Sequence, residues 1–249
     1  MKSRLTTLTI LVAGMLTVSP PNAAFAELTF GQWAEDKGYT PPGPENWMCS
    51  AHHKGITNLD GISGYTNLRG LFLFHNSISS PNASQFQGLP NLQILSLSHN
   101  QISSLDADQF QGLTNLQELY LNNNRISSLD ANLFQGLTNL KRLYLDDNQI
   151  SSFNANSLRD LTDLQLLGLS SNKMSSLDLT GFEATALTSF LIDSNPIMEV
   201  ILADTTLSQA TLDTLMRGHD ESDFTIGIAE LAGITSVDFT SADMAAVDQ

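Results

Sequence analysis

The sequence has a single cysteine, Cys49, so no internal disulfide can form. If the chain is exported, its stability must come from its core. Cys49 lies beyond the apolar leader, which excludes it as the lipid-bearing cysteine of a lipoprotein. Bases are scarce, with 11 Lys and Arg against 26 Asp and Glu, for a formal charge of −15. A chain this acidic repels nucleic acid and anionic membranes, and neither is expected as a partner. No apolar run reaches the ~20 residues that a membrane-spanning helix needs. Gly-x-Ser-x-Gly, a phosphate-binding glycine loop, His-Glu-x-x-His and Cys-x-x-Cys are all missing. Those patterns carry the common hydrolase, nucleotide, zinc and redox chemistries. We therefore expect no enzyme and no cofactor.

The chain opens with Lys2 and Arg4, then the apolar "LTILVAGMLTV", then "SPPNAAFA". A basic start, a short apolar centre and a small-x-small end predict a secretory signal peptide over residues 1–26, cut after Ala26. An uncleaved anchor is the alternative. Cleavage would leave a secreted or cell-surface protein, periplasmic or extracellular, and loss of Lys2 and Arg4 would take the charge to −17. Acid gathers late, with eleven Asp or Glu from Asp193 onward against the single base Arg217.

Between these ends the sequence repeats itself. Residues 89–112, 113–136 and 137–160 read "LPNLQILSLSHNQISSLDADQFQG", "LTNLQELYLNNNRISSLDANLFQG" and "LTNLKRLYLDDNQISSFNANSLRD". An asparagine recurs at Asn76, Asn100, Asn124, Asn148, Asn172 and Asn195, at intervals of 24, 24, 24, 24 and 23 residues. A fixed period of this size signals a solenoid. Alternation at Leu119-x-Leu121 predicts a short strand with one buried face. Stacked copies would lay these strands ~4.8 Å apart in a parallel sheet. The asparagine amide both donates and accepts, which suits a buried turn whose backbone would otherwise be unpaired. Phe86, Phe110, Phe134, Leu158 and Phe182 would fill the far side of the core. Asp106, Asp130, Asn154 and Asp178 are expected to cap one helical turn each, a calcium ladder being the alternative.

The pattern L-x-x-L-x-L-x-x-N-x-I-x-x-L, with Phe134 and Leu137 downstream, resembles the leucine-rich repeat family and its 24-residue extracellular class. The resemblance covers residues 55–200. It implies an α/β fold: a leucine-rich repeat solenoid with a parallel sheet on the concave face and an irregular or short-helical convex side. The paired-cysteine cap of many extracellular members is absent. Residues 27–54 are expected to form an N-terminal cap and a degenerate first strand. There "TFGQWAEDKGY" would make a short helix with Phe30, Trp33 and Ala34 inward, Cys49 and Ala51 would be core, and Lys54 would stand in the asparagine column. Residues 201–249 are expected to be a degenerate, acidic, repeat-like segment, with a strand at Val200 and Leu202, a helix in "SQATLDTLMRG" and a loosened unit from Ile234 to Val247. That unit either closes the solenoid or continues in a longer protein.

Function should lie in the letters that vary between copies. Outward strand positions form two columns: Phe72, Ser96, Tyr120, Tyr144, Gly168 and Leu191, then Phe74, Ser98, Asn122, Asp146, Ser170 and Asp193. Phe72, Phe74, Glu118, Tyr120, Asn122, Arg142, Tyr144 and Asp146 are the candidate binding residues, because exposed aromatics flanked by charge make recognition surfaces. The expected partner is a protein or peptide, one with a basic patch suiting the acids. Alternatively strands simply favour aromatics, with the cap covering Phe72 and Phe74. His53, His75 and His99 share the position before the asparagine column, beside His52, and imidazole binds zinc and copper. At strand spacing the outer pair stands ~9–10 Å apart, too far to share one ion, so a metal site is the lesser alternative. Asn82-Ala83-Ser84 matches the N-glycosylation sequon, and chance accounts for it. A metal enzyme on the histidine column and a passive piece of a surface protein are the competing functions.

Overall fold

A computed structural model describes residues 27–178, 186–197, 199–201 and 225–227. Strands β1 (Leu28–Thr29) and β3 (Ile56–Asn58) pair as a small ladder around helix α1 (Phe30–Asp36). The main sheet is parallel and seven-stranded: β2 (Trp47–Ser50), β4 (Leu68–Phe72), β5 (Ile94–Ser96), β6 (Glu118–Tyr120), β7 (Arg142–Tyr144), β8 (Leu166–Gly168) and, at the far edge, β10 (Ser189–Leu191). Leu71, Leu95, Leu119, Leu143, Leu167 and Phe190 lie in register across it, all buried. The period-two alternation thus becomes one leucine layer, with the next outward residues on the open face.

Behind the sheet, Phe86, Phe110 and Phe134 form a column with ring centroids 6.0 and 6.3 Å apart, the first pair tilted and the second stacked, and Leu158 is buried with them. Phe182 lies outside the described residues. Asn154 caps the short 3-10 turn Ala155–Leu158 by accepting from Asn156 N, and Asp130 Oδ1 accepts from Asn132 N at 2.8 Å. These side chains are engaged by their own turns, as caps should be. Among the described residues no three His, Cys, Asp or Glu are placed to hold a metal.

The asparagine column holds the stack together. Each amide bridges units: Asn124 Nδ2 donates to Leu97 O (2.9 Å) and Leu121 O (3.0 Å), while its Oδ1 accepts from Ile102 N (3.1 Å). Asn100, Asn148 and Asn172 repeat the pattern. A second ladder runs through Asn67, Asn91, Asn115 and Asn139, whose side chains donate to Gly43, Thr66, Pro90 and Thr114 carbonyls at 2.7–3.0 Å. Asp163 follows in the sequence where this ladder would continue; a carboxylate has no proton to donate.

At the N-terminal end, Thr29 and Gln32 form a capping box for α1, and Phe30, Trp33 and Ala34 are buried. Close approach of the helix requires glycine: a Cβ on Gly61 would lie 2.9 Å from Gly31 Cα. Phe30, Trp33, Tyr39, Trp47 and Tyr65 then seal the stack as a ring cluster with centroids 4.6–6.0 Å apart. Cys49 is 1% exposed and burial pushes its thiol up to about 12, so it stays protonated and serves as core.

A second parallel sheet joins β9 (Ser176–Asp178), β11 (Glu199–Ile201) and β12 (Thr225–Gly227). The strand expected near Val200 is therefore present, and it lies beside β9 rather than in the seven-stranded sheet. Residues 1–26, Leu202, the helix expected in residues 208–218 and the unit at 234–247 lie outside the described residues.

Candidate recognition face

Strand register sorts the open face into rows. One runs Met48, Gly70, Ile94, Glu118, Arg142, Leu166, Ser189, and the next Ser50, Phe72, Ser96, Tyr120, Tyr144, Gly168, Leu191. A third row, His52, Phe74, Ser98, Asn122, Asp146, Ser170 and Asp193, lies just past the strands. The backbone continues to pair there, as in His75 N donating to Ser98 O and Asn123 N to Asp146 O.

In the centre, Tyr120 and Tyr144 stack with centroids 4.8 Å apart and planes 7° from parallel. The Tyr120 hydroxyl donates to Glu118 Oε2 at 2.6 Å, and Arg142 Nη1 pairs with the other Glu118 oxygen. Burial first, then the Glu118 hydrogen bond, raises the Tyr120 pKa well above that of an ordinary tyrosine, so the hydroxyl stays a donor. The four side chains form one linked group across β6 and β7, still open to solvent: Arg142 is 48% exposed.

Asp146 behaves differently. Its carboxylate is engaged inside the protein, accepting from Ser170 N at 3.0 Å and lying over Gly168, where a Cβ would come within 2.2 Å of Oδ2. Burial raises its pKa, partly offset by that backbone hydrogen bond. Asn122 is half-buried beside it.

Phe72 and Phe74 are half-buried, and the side chains beside them come from β2 and the turn that follows it. His52 stacks on Phe74 at 4.5 Å and 4°, with Ser50 Oγ 2.7 Å from His52 Nδ1. Met48 lies across Gly70 beside Phe72; a Cβ on Gly70 would fall 2.5 Å from Met48 Cε. Met48, at 51% exposure, and Leu191, at 38%, are the exposed large apolar side chains among the described residues. Met48, Ile94 and Leu166 were not among the sequence candidates. They share a row with Glu118 and Arg142, and tracing that row through every copy would have found them.

His53, His75 and His99 do stack, at 4.3 and 4.1 Å with planes 17° and 21° from parallel. Their backbones share an unforeseen property: φ is +53°, +56° and +52°, and Asn123, Asp147, Ser171 and Ser194 continue the left-handed column at +52° to +59°. Asn, Asp and His tolerate this region better than other side chains, so the column answers first to the backbone. Both rings are exposed, and partial desolvation, then the neighbouring His75, lowers the pKa of His53 and of His99.

The leucine rich repeat family model matches residues 66–126 and 114–174. The leucine-rich repeat domain of APL1B is 22% identical with a TM-score of 0.56, over 64% of this chain and 46% of that one. In the complex of TLR13 with ssRNA13, the similar chain is 27% identical with a TM-score of 0.53, over 63% of this chain and 25% of that one. The matched segment is a leucine-rich repeat array, and the described residues form the leucine-rich repeat solenoid of the α/β class. The chain covers less than half the length of either structure. No curated protein matches it in sequence.

Proposed function

We propose that this protein is a secreted, non-enzymatic binding module of the 24-residue extracellular class, holding a protein or peptide on its concave face. The observation that carries this is the Tyr120–Tyr144 stack with its Glu118–Arg142 pair. The leucine layer behind the sheet accounts for the fold, and these four side chains face the other way. Stacked tyrosines offer large, rigid, amphipathic area at low entropic cost, and Tyr and Arg are enriched among interface hot spots. Ile94 and Leu166 extend the area on either side along the same row. The partner carries a basic patch, because the acidic chain attracts one and repels nucleic acid. The similar TLR13 structure holds an RNA; that ligand is not carried over to a chain of charge −15.

The test is a pull-down with the purified protein as bait, followed by titration of the captured partner against Tyr120→Ala with Tyr144→Ala. Loss of one hot-spot pair costs ~2 kcal/mol or more, roughly a 30-fold weaker Kd. Unchanged affinity with an unchanged circular dichroism spectrum would place binding elsewhere.

A further inference from the structure

Four of the chain's five histidines, His52, His53, His75 and His99, gather at one end of the open face with Lys54 beside them. In a protein of formal charge −15 this is a concentration of cation-forming groups. The charged and titratable groups acting on His53 are His75, His52, Lys54 and His99, and those on His99 are His75 and Asp147. Asp147 alone among them is a carboxylate, and it stands at the far end of the column. The floor is apolar and aromatic: Phe74 stacks on His52, and Met48 and Phe72 both lie over Gly70. Left-handed turns fix the three stacked imidazoles in line, one per unit.

We propose that this imidazole column, with Lys54 and its Met48–Phe72–Phe74 floor, docks a carboxylate-bearing acidic segment of a protein partner and takes up protons as it does so. The inference rests on the open face being a recognition surface and gives that surface a second, oppositely charged anchor. Neutral rings tolerate a separation of 4.1–4.3 Å; imidazolium ions at that spacing repel one another. A row of carboxylates laid along the column relieves the repulsion, so anion and protons bind together. Histidine is the side chain for which this exchange falls between pH 5 and 8. Above that window the column loses its positive charge and the segment is released.

Labelled hexaglutamate, followed by fluorescence anisotropy at constant ionic strength, tests this on the purified protein. Binding should tighten at least tenfold from pH 7.5 to pH 5.5. Calorimetry in buffers of different ionisation enthalpy should show net proton uptake. The variant His53→Asn/His75→Asn/His99→Asn keeps residues suited to the left-handed turn, as Asn123 already does at φ +57°, and should lose the pH dependence with its fold intact. Tyr120→Ala with Tyr144→Ala should bind hexaglutamate like the parent, separating this site from the central one. The proposal is overturned by equal affinity at both pH values, by parental binding in the triple asparagine variant, or by displacement with inorganic phosphate at the same charge concentration.

Discussion

Asn124→Ala tests the physics of the whole stack, because its hydrogen bonds can be counted. Asn124 is 8% exposed. Losing the amide breaks two short donations, to Leu97 O and Leu121 O, a long one of 3.4 Å to Asn122 O, which keeps His99 N as a donor, and one acceptance, from Ile102 N. Counting every partner as orphaned would overstate the damage. Leu97 O keeps the donor Asn100 Nδ2 at 3.0 Å, and Leu121 O keeps Asn148 Nδ2 at 3.0 Å. Only the Ile102 N–H is left without this partner in a buried place. That orphan costs about 1–3 kcal/mol, and each of the two short donations about 0.5–1.5 kcal/mol, for a total of roughly 2–6 kcal/mol. For a chain of this size the melting point should fall by about 2–4 °C for each kcal/mol.

The assay is thermal and urea unfolding by circular dichroism, with amide exchange read at Ile102. Asn124→Asp separates the two roles, since a carboxylate still accepts from Ile102 N but cannot donate to the carbonyls unless protonated. Its deficit should therefore grow as pH rises through the carboxyl pKa, which the carbonyls hold above the unfolded value. Parental melting of Asn124→Ala, with Ile102 still protected from exchange, would refute the ladder as the source of turn stability.

Alanine at His53, His75 and His99 should destabilise the protein even at neutral pH, because each site has positive φ and the left-handed region costs an ordinary residue roughly 1–2 kcal/mol. Asparagine at the same three sites should be close to neutral at pH 7.5, and urea midpoints of the two variants make the comparison. The folded pKa values of His53 and His99 lie below 6.5, so the unfolded chain binds more protons just below that pH. Parental stability should thus fall as pH drops through 6.5 towards the folded values, and the asparagine variant should show a flatter profile. Gly168→Ala should displace the Asp146 carboxylate from Ser170 N at a cost of about 1–3 kcal/mol, whereas Gly70→Ala meets chiefly the flexible end of Met48, with Phe72 Cε2 at 3.3 Å, and should cost less; melting curves of the pair decide it. Tyr120→Ala with Tyr144→Ala should keep the far-UV spectrum while weakening capture of the partner.

Much of this was legible because a solenoid poses the same physical problem in every unit. The buried turn needs a side chain that donates and accepts, asparagine meets that need, and the letter recurs at Asn76, Asn100, Asn124, Asn148, Asn172 and Asn195. The leucine layer and the phenylalanine column were legible for the same reason. The left-handed column was not, because its demand is permissive. His, Asn, Asp and Ser all satisfy it, so its letters differ while its backbone does not. Periodicity detects required identity, and it is blind to shared tolerance.

The recognition face is harder to read for a related reason. Outward positions bear no common demand, so each row must be traced through copies whose frame is already secure. In the first unit Lys54 replaces the ladder asparagine, and its backbone N–H is held instead by Asn76 Oδ1 from the following unit. Without the marker letter, Met48 reads as one more apolar residue near a core. Register with Gly70 and Ile94 is what turns it outward. Asp146 errs in the other direction: an acid in an outward column reads as a free contact, yet its neighbour Gly168 leaves room for the carboxylate to fold back onto Ser170 N. Both cases turn on a neighbouring strand's glycine, and a missing Cβ matters only once the strands are side by side. Scaffold residues are set within the repeat, whereas the shape of the binding surface is set between repeats, and that is where a sequence read along one chain carries least.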